Sequence, residues 1–93
     1  MTKIKVSYSK IDYKEVEIQF PLYLYFQNEE DYIEIYIKIT EDKIIHIENN
    51  GNIDSVYIHD YQILPSKYLS YHKINEEDFE KVRKELIEHI NSL

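Results

Sequence analysis

Cysteine, tryptophan and alanine are absent from this chain of 93 residues, and glycine occurs once, at Gly51. Without cysteine, a disulfide, a thiolate zinc site, an iron–sulfur cluster and a cysteine nucleophile are all excluded. One glycine cannot supply a Walker or dinucleotide-binding loop, whose backbone must approach phosphate closely. The Gly-x-Ser-x-Gly elbow of many hydrolases is excluded for the same reason. Stability must therefore come from packing, and the commonest nucleotide-binding and hydrolase motifs are missing.

Long apolar runs are also missing. The longest, Phe20–Phe26, falls far short of the ~20 residues that a membrane span requires. The first six residues alternate charged and apolar side chains and lack the continuous apolar stretch of a signal peptide. We therefore expect a cytoplasmic protein. The length predicts a single domain over residues 1–93, and an apolar content of 43% is enough for one modest core.

Basic residues are scarce where acidic residues are concentrated. The formal net charge is -7, and residues 20–65 hold nine carboxylates against Lys38 and Lys43. Binding to nucleic acid or to an anionic membrane requires a basic patch, so we expect neither. The excess of isoleucine, lysine, asparagine and tyrosine, with no alanine, indicates A/T-rich coding in a low-GC bacterium or its phage. Part of the tyrosine excess then reflects codon bias.

The residue types used in catalysis occur without a recognisable spacing. Four histidines are present, but none forms the His-x-His or helical i, i+4 pair of a zinc site. His59 and Asp60 are neighbours in a predicted strand, where successive side chains point to opposite faces. The acidic runs 29–31 and 76–78 are interpreted as a solvated turn and as helix capping. We therefore expect a non-enzymatic protein with no catalytic residues, no metal site and no cofactor.

The hydrophobic pattern predicts strands over most of residues 3–61. Ile4, Val6 and Tyr8 alternate with polar residues, and a longer alternation runs from Val16 to Phe26 through Pro21. Since proline cannot donate a ladder hydrogen bond, that strand is expected to be an edge, bent or bulged at Pro21. The clearest strand places four isoleucines on one face and tyrosine, glutamate and lysine on the other. Those isoleucines are Ile33, Ile35, Ile37 and Ile39.

Asn50-Gly51 predicts a hairpin turn between a strand over Lys43–Glu48 and a return strand over Ile53–Tyr61. Two registers remain open. A two-residue loop would place Ile45 opposite Val56, whereas a one-residue bulge would pair Ile44 with Ile58.

Residues 62–74 are expected to form an irregular connection before a helix over residues 76–92. Asn75 is a favourable N-cap, and Ile74 and Phe79 have the spacing of a hydrophobic staple. The helix carries one apolar stripe. The predicted fold class is α+β: an antiparallel β-sheet of four to five strands with one C-terminal α-helix packed on one face. We expect this helix to cover the isoleucine face.

The opposite sheet face is then expected to be open, with tyrosines and carboxylates side by side. Tyrosine is enriched at protein interfaces because its rigid ring is both apolar and polar. The alternative interpretation is that these rings merely cover the second sheet face. The candidate partner-binding residues are Tyr23, Tyr25, Glu29, Glu30, Asp31, Tyr32, Glu34 and Tyr36.

Two functional hypotheses follow. The first is an acidic interaction domain for a protein with a basic surface, acting as a nucleic-acid mimic. Carboxylates on strands ~4.8 Å apart can imitate phosphates, as in phage or mobile-element inhibitors that occupy the nucleic-acid groove of a host enzyme (anti-CRISPR or anti-restriction type). The second is a structural subunit that forms a homodimer through the Pro21 edge strand or the tyrosine face.

Overall fold

The computed structural model describes residues 2–51 and 53–91, which form two β-sheets and a C-terminal helix. A five-stranded sheet has the order β6–β5–β4–β3–β8, and a three-stranded sheet has the order β2–β1–β7. The α+β prediction, with a five-stranded sheet and one helix, is confirmed. The elements are β1 (Thr2–Ser7), β2 (Tyr13–Ile18), β3 (Leu22–Asn28), β4 (Ile33–Ile39), β5 (Lys43–Asn50), β6 (Ile53–Asp60), β7 (Ile63–Pro65), a 3₁₀ turn (Ser66–Ser70), β8 (His72–Lys73) and α1 (Glu76–Asn91).

The larger core lies between the two sheets. Ile35, Ile37 and Ile39 of β4 are buried in it together with Leu24, Ile44 and residues of the small sheet. The small sheet contributes Val6 and Ile18, and β7 and the 3₁₀ turn contribute Leu64 and Tyr68. β-branched and Leu side chains on two facing pleated surfaces fill such an interlayer well.

The expectation that α1 covers the isoleucine face is wrong. The buried cluster on the other face joins Tyr23 and Ile47 of the sheet to Phe79 and Leu86 of the helix. Tyr36, Ile45, Ile74 and Val82 pack around it. The isoleucines are buried as predicted, but by the second sheet. The large sheet is therefore covered on both faces, and its tyrosine face is partly closed by the helix.

The chain crosses from one sheet to the other between β2 and β3. The predicted alternation through this segment holds, because Ile18, Phe20, Leu22 and Leu24 all contribute to the core between the sheets. The strand is interrupted at Gln19–Pro21, and the Phe20–Pro21 peptide bond is cis. Pro21 therefore lies at a break between two strands, and β3 beyond it pairs with β4 on one side and, at Leu24 and Tyr25, with β8 on the other.

Residues 62–74 are more ordered than the irregular connection expected from the sequence. β7 pairs in parallel with β1, and β8 pairs with Leu24 and Tyr25 of β3. The connection thus adds one short strand to each sheet, and the buried Tyr68 fixes the turn between them.

The hairpin at Gly51 forms in a register that differs from both alternatives. Asn50 lies opposite Ile53, so that Ile47 faces Val56 and Ile45 faces Ile58. Gly51 has φ of 65°, the left-handed conformation that glycine adopts without steric cost. Asn50 is therefore the last paired residue of β5, and the apolar side chains of β5 and β6 match without a bulge.

Candidate protein-binding surface

The acidic turn between β3 and β4 is held by the side chain of Asn28. Its Oδ1 accepts hydrogen bonds from the backbone N–H groups of Glu30, at 3.0 Å, and Asp31, at 3.4 Å. Its Nδ2 donates to Asp31 Oδ2 at 3.1 Å. Such an Asx turn fixes the loop without using the remaining carboxylates. Glu29, Glu30 and Asp31 are exposed, and Tyr32 has φ of 53° and is 78% exposed.

Two tyrosine rings lie next to this turn on the helix-covered face of the sheet. Tyr25 and Tyr36 are directly opposite each other on β3 and β4, and their ring centroids are 5.0 Å apart. The Tyr25 hydroxyl donates to Gln27 Oε1 at 3.0 Å. Both rings are half-buried, so each retains solvent-accessible surface.

Carboxylates from four parts of the chain surround this ring pair. Two shallow depressions lie along the seam between α1 and the sheet, and a third lies beside them between the β3–β4 turn and Gly51. Because neighbouring depressions share lining residues, they adjoin as one groove. Lys81 is the one basic side chain among the described residues that line it. We call this feature the acidic groove and define it by Tyr25, Glu29, Glu34, Tyr36, Asp54, Asp78 and Glu85.

The electrostatic field of the groove acts on both phenols. Burial raises the pKa of Tyr36 to about 12, with smaller contributions from Glu34, Tyr25, Glu85 and Asp78. The pKa of Tyr25 is also raised, first by burial and then by Glu34 and Glu29. Nearby negative charge opposes formation of a phenolate, and by the same physics it favours a bound cation.

The structure brings together some of the residues selected from the sequence and separates others. Tyr25, Glu29, Glu34 and Tyr36 line the acidic groove. Tyr32 borders its end near the turn. Glu30 and Asp31 lie on the exposed turn beyond it.

Tyr23 is a structural residue. It is 7% exposed and packs against Phe79 beneath the helix. Its assignment to an open tyrosine face was wrong because α1 covers that part of the sheet.

Three groove carboxylates were not identified from the sequence. Asp54 lies on β6, and Asp78 and Glu85 lie on α1, so they are distant in sequence from the acidic turn. Asp78 and Glu85 are seven residues apart on α1, a spacing that predicts a shared helix face. The sequence could not reveal that this face borders Tyr36.

Two of the histidines lie beside Tyr57. His46 Nε2 lies 3.2 Å from Glu48 Oε1, and the ring of Tyr57 lies between those of His46 and His59. Within residues 2–51 and 53–91, no group of three or more histidine, aspartate or glutamate side chains is arranged to hold a metal ion. In the same ranges, no helix combines the length and the apolar character needed to cross a membrane.

Comparison with known proteins adds no relative. The chain matches no protein-family model, no curated protein and no solved structure.

Proposed function

We propose that this chain is a non-enzymatic interaction domain whose acidic groove binds a basic segment of a partner protein. The observation that carries the proposal is the position of the Tyr25–Tyr36 pair in the groove, with the carboxylate of Glu34 on the sheet side and those of Asp78 and Glu85 on the helix side. An arginine or lysine side chain placed over the rings gains a cation–π interaction of about 0.5–2 kcal/mol. Glu34 and Glu85 are positioned to accept its charge-assisted hydrogen bonds.

The charge distribution supports a partner with a basic surface. The net charge of -7 gives long-range attraction to such a surface and repels nucleic acid. Within this class, we propose an inhibitor that occupies the nucleic-acid-binding groove of a host enzyme. Support for this narrower proposal comes from the small size, the acidity and the carboxylates of Glu34 and Asp54, which lie on one sheet face on either side of Asn49 and can stand in for phosphates.

Charge reversal within the groove tests the broader proposal. A triple variant (Glu29→Lys, Glu34→Lys, Glu85→Lys) should lose capture of its partner from a host lysate, because the groove would repel a basic segment. The matched control reverses three exposed acids of the small sheet and its loop: Asp12, Glu15 and Glu17. Both variants change the net charge equally. Equal loss of capture in the two variants would indicate non-specific attraction and refute the groove as the binding site.

Changes in salt concentration test the charge attraction, and substitution of a tyrosine tests the contact with the aromatic ring. Capture by the unmodified domain should weaken steeply as ionic strength rises, since charge attraction across an exposed interface is screened. Tyr25→Leu keeps the apolar volume but removes the aromatic face, and it should weaken capture without altering the salt dependence.

Competition with nucleic acid tests the narrower proposal. If the partner's occupied surface is its nucleic-acid-binding groove, duplex DNA or RNA should displace the captured partner in proportion to its concentration. A partner that binds the domain and nucleic acid simultaneously would contradict the inhibitor proposal while leaving the interaction domain intact.

A further inference from the structure

β6, at one edge of the large sheet, differs from the other edge strands in the part of the chain that the structure describes. β8 has two residues, β7 has three and ends at Pro65, and β2 carries the exposed charges of Lys14, Glu15 and Glu17. Short strands, proline and charged side chains are the usual protection against edge-to-edge pairing. β6 has eight residues, and its central segment Ser55–His59 contains no aspartate, glutamate, lysine or arginine. β6 is therefore the least protected edge of this fold.

Apolar side chains are concentrated on the same strand. Val56 is 48% exposed, Tyr57 46% and Ile58 66%, and within the described ranges they are the only three consecutive large hydrophobic residues that are exposed. Val56 and Ile58 continue the stripe of Ile47 and Ile45 on the helix-covered face. Ile47 is buried beneath α1, whereas the two β6 residues lie beyond the cover that the helix provides.

The backbone of β6 is oriented for pairing. Tyr61 N–H donates to the Asp42 carbonyl at 2.9 Å, which continues the β5–β6 ladder by one pair. Because bonding alternates along an antiparallel ladder, Val56 and Ile58 turn their N–H and C=O groups away from β5 and toward the open edge. The register from Lys43–Asp60 to Asn50–Ile53 runs without interruption, so this edge carries no bulge that would hinder pairing.

We propose that β6 pairs antiparallel with β6 of a second copy of this chain, about a two-fold axis at Tyr57. This register places Val56 of each copy opposite Ile58 of the other copy. Each of these exposed apolar side chains then gains an apolar neighbour. The two large sheets become one sheet of ten strands with both helices on the same face. This proposal does not rest on the proposed binding to a basic partner, although Asp54 belongs to both surfaces.

The geometry closes at two copies. Each copy contributes its one unprotected edge, and the edges that remain are short or charged, so the assembly does not grow into a fibre. The register also makes a specific prediction, since it places Asp54 opposite Asp60 of the second copy at both ends of the interface. Like charges directly opposite across a sheet weaken pairing. The dimer is therefore weaker than its apolar centre would allow.

Sedimentation of the full chain, from micromolar to millimolar concentration, tests the proposal. The wild-type chain should pass from monomer to dimer in this range, because an interface of one strand pair is small. Ile58→Lys should remain monomeric throughout. Ile11→Lys changes a residue that is 85% exposed in the β1–β2 loop and should dimerise like the wild-type chain. Asp60→Asn should tighten the dimer several-fold, which tests the register itself.

Hydrogen exchange on the unmodified chain provides a second measurement that no folding defect can affect. The amides of Val56 and Ile58 should become protected as concentration rises, whereas those of β2 should not change. Four outcomes would overturn the proposal: a monomer at millimolar concentration, a dimer that survives Ile58→Lys, assemblies larger than a dimer, or protection confined to another element. A chain that is monomeric alone and pairs β6 only with a different protein would also refute it.

Discussion

Phe79 of α1 packs against Tyr23 of β3, with ring centroids 5.4 Å apart and ring planes inclined at 48°. This contact fixes the helix on the tyrosine face of the large sheet, opposite to the face expected from the sequence. It also divides the tyrosines into two groups. Tyr23 is covered by the helix, whereas Tyr25 and Tyr36 lie where the seam between helix and sheet opens into the acidic groove.

Phe79→Ala should lower the free energy of unfolding by about 3–5 kcal/mol, because the ring is fully buried and its loss leaves a cavity. Ile87→Ala is the matched control: Ile87 is 49% exposed on the same helix, so the variant should lose much less stability. Urea unfolding of the two variants measures the difference. Similar losses would show that Phe79 does not anchor the helix.

Asn75→Ala should cost about 1 kcal/mol of stability through loss of the helix N-cap. Asn75 Oδ1 accepts a hydrogen bond from the Asp78 backbone N–H at 2.7 Å, and this N–H has no partner within the helix. Asn75→Asp keeps the acceptor and should retain most of the stability. If thermal unfolding placed the aspartate variant level with the alanine variant, the cap would contribute nothing.

Gly51→Ala should destabilise the β5–β6 hairpin by about 1–2 kcal/mol, since a Cβ is disfavoured at φ of 65°. The space around Gly51 is open, with no heavy atom within 4 Å of an added Cβ, so backbone conformation alone accounts for the cost. Gly51→Asn should lose less, because asparagine tolerates the left-handed region. Equal urea midpoints for the wild-type and alanine chains would contradict this explanation.

Tyr36 should retain its proton until about pH 12, because its pKa is raised from 10.0 to about 12 in the folded chain. The folded state then binds the proton more tightly than the unfolded state does. The resulting contribution to stability is complete below pH 10 and is lost as the pH rises toward 12. Tyr36→Phe should reduce this loss of stability. Part of the loss should remain, because the pKa of Tyr61 is also raised to about 12.

Glu34→Gln tests the electrostatic part of the same shift. Removing this carboxylate should move the pKa of Tyr36 downward, toward 10, while burial of the ring keeps it above that value. Ultraviolet titration of phenolate absorbance, compared between the chain with Tyr36 and the Tyr36→Phe variant, isolates this one group. If the pKa of Tyr36 were unchanged in Glu34→Gln, Glu34 would not contribute to the electrostatic field at Tyr36.

The features that could be predicted are those that depend on residues close together in the sequence. The alternation in β4 identified its buried face, because side chains alternate strictly along a strand. Asn75 and the apolar stripe of Phe79, Val82 and Leu86 identified the helix and its start. Of the candidate binding residues, those on the β3–β4 hairpin were found because one turn joins them, whereas Asp54, Asp78 and Glu85 enter the groove from β6 and α1.

The sequence by itself determined the longer strands before residue 61, the helix, the acidity and the buried face of β4, since these depend on backbone periodicity and side-chain chemistry within a few residues. Only the tertiary structure decided which layer covers which face. Both faces of the large sheet carry bulky side chains, and periodicity is the same whichever partner buries them. β7 and the 3₁₀ turn help to close the isoleucine face, which leaves the tyrosine face to the helix and opens the groove beside it.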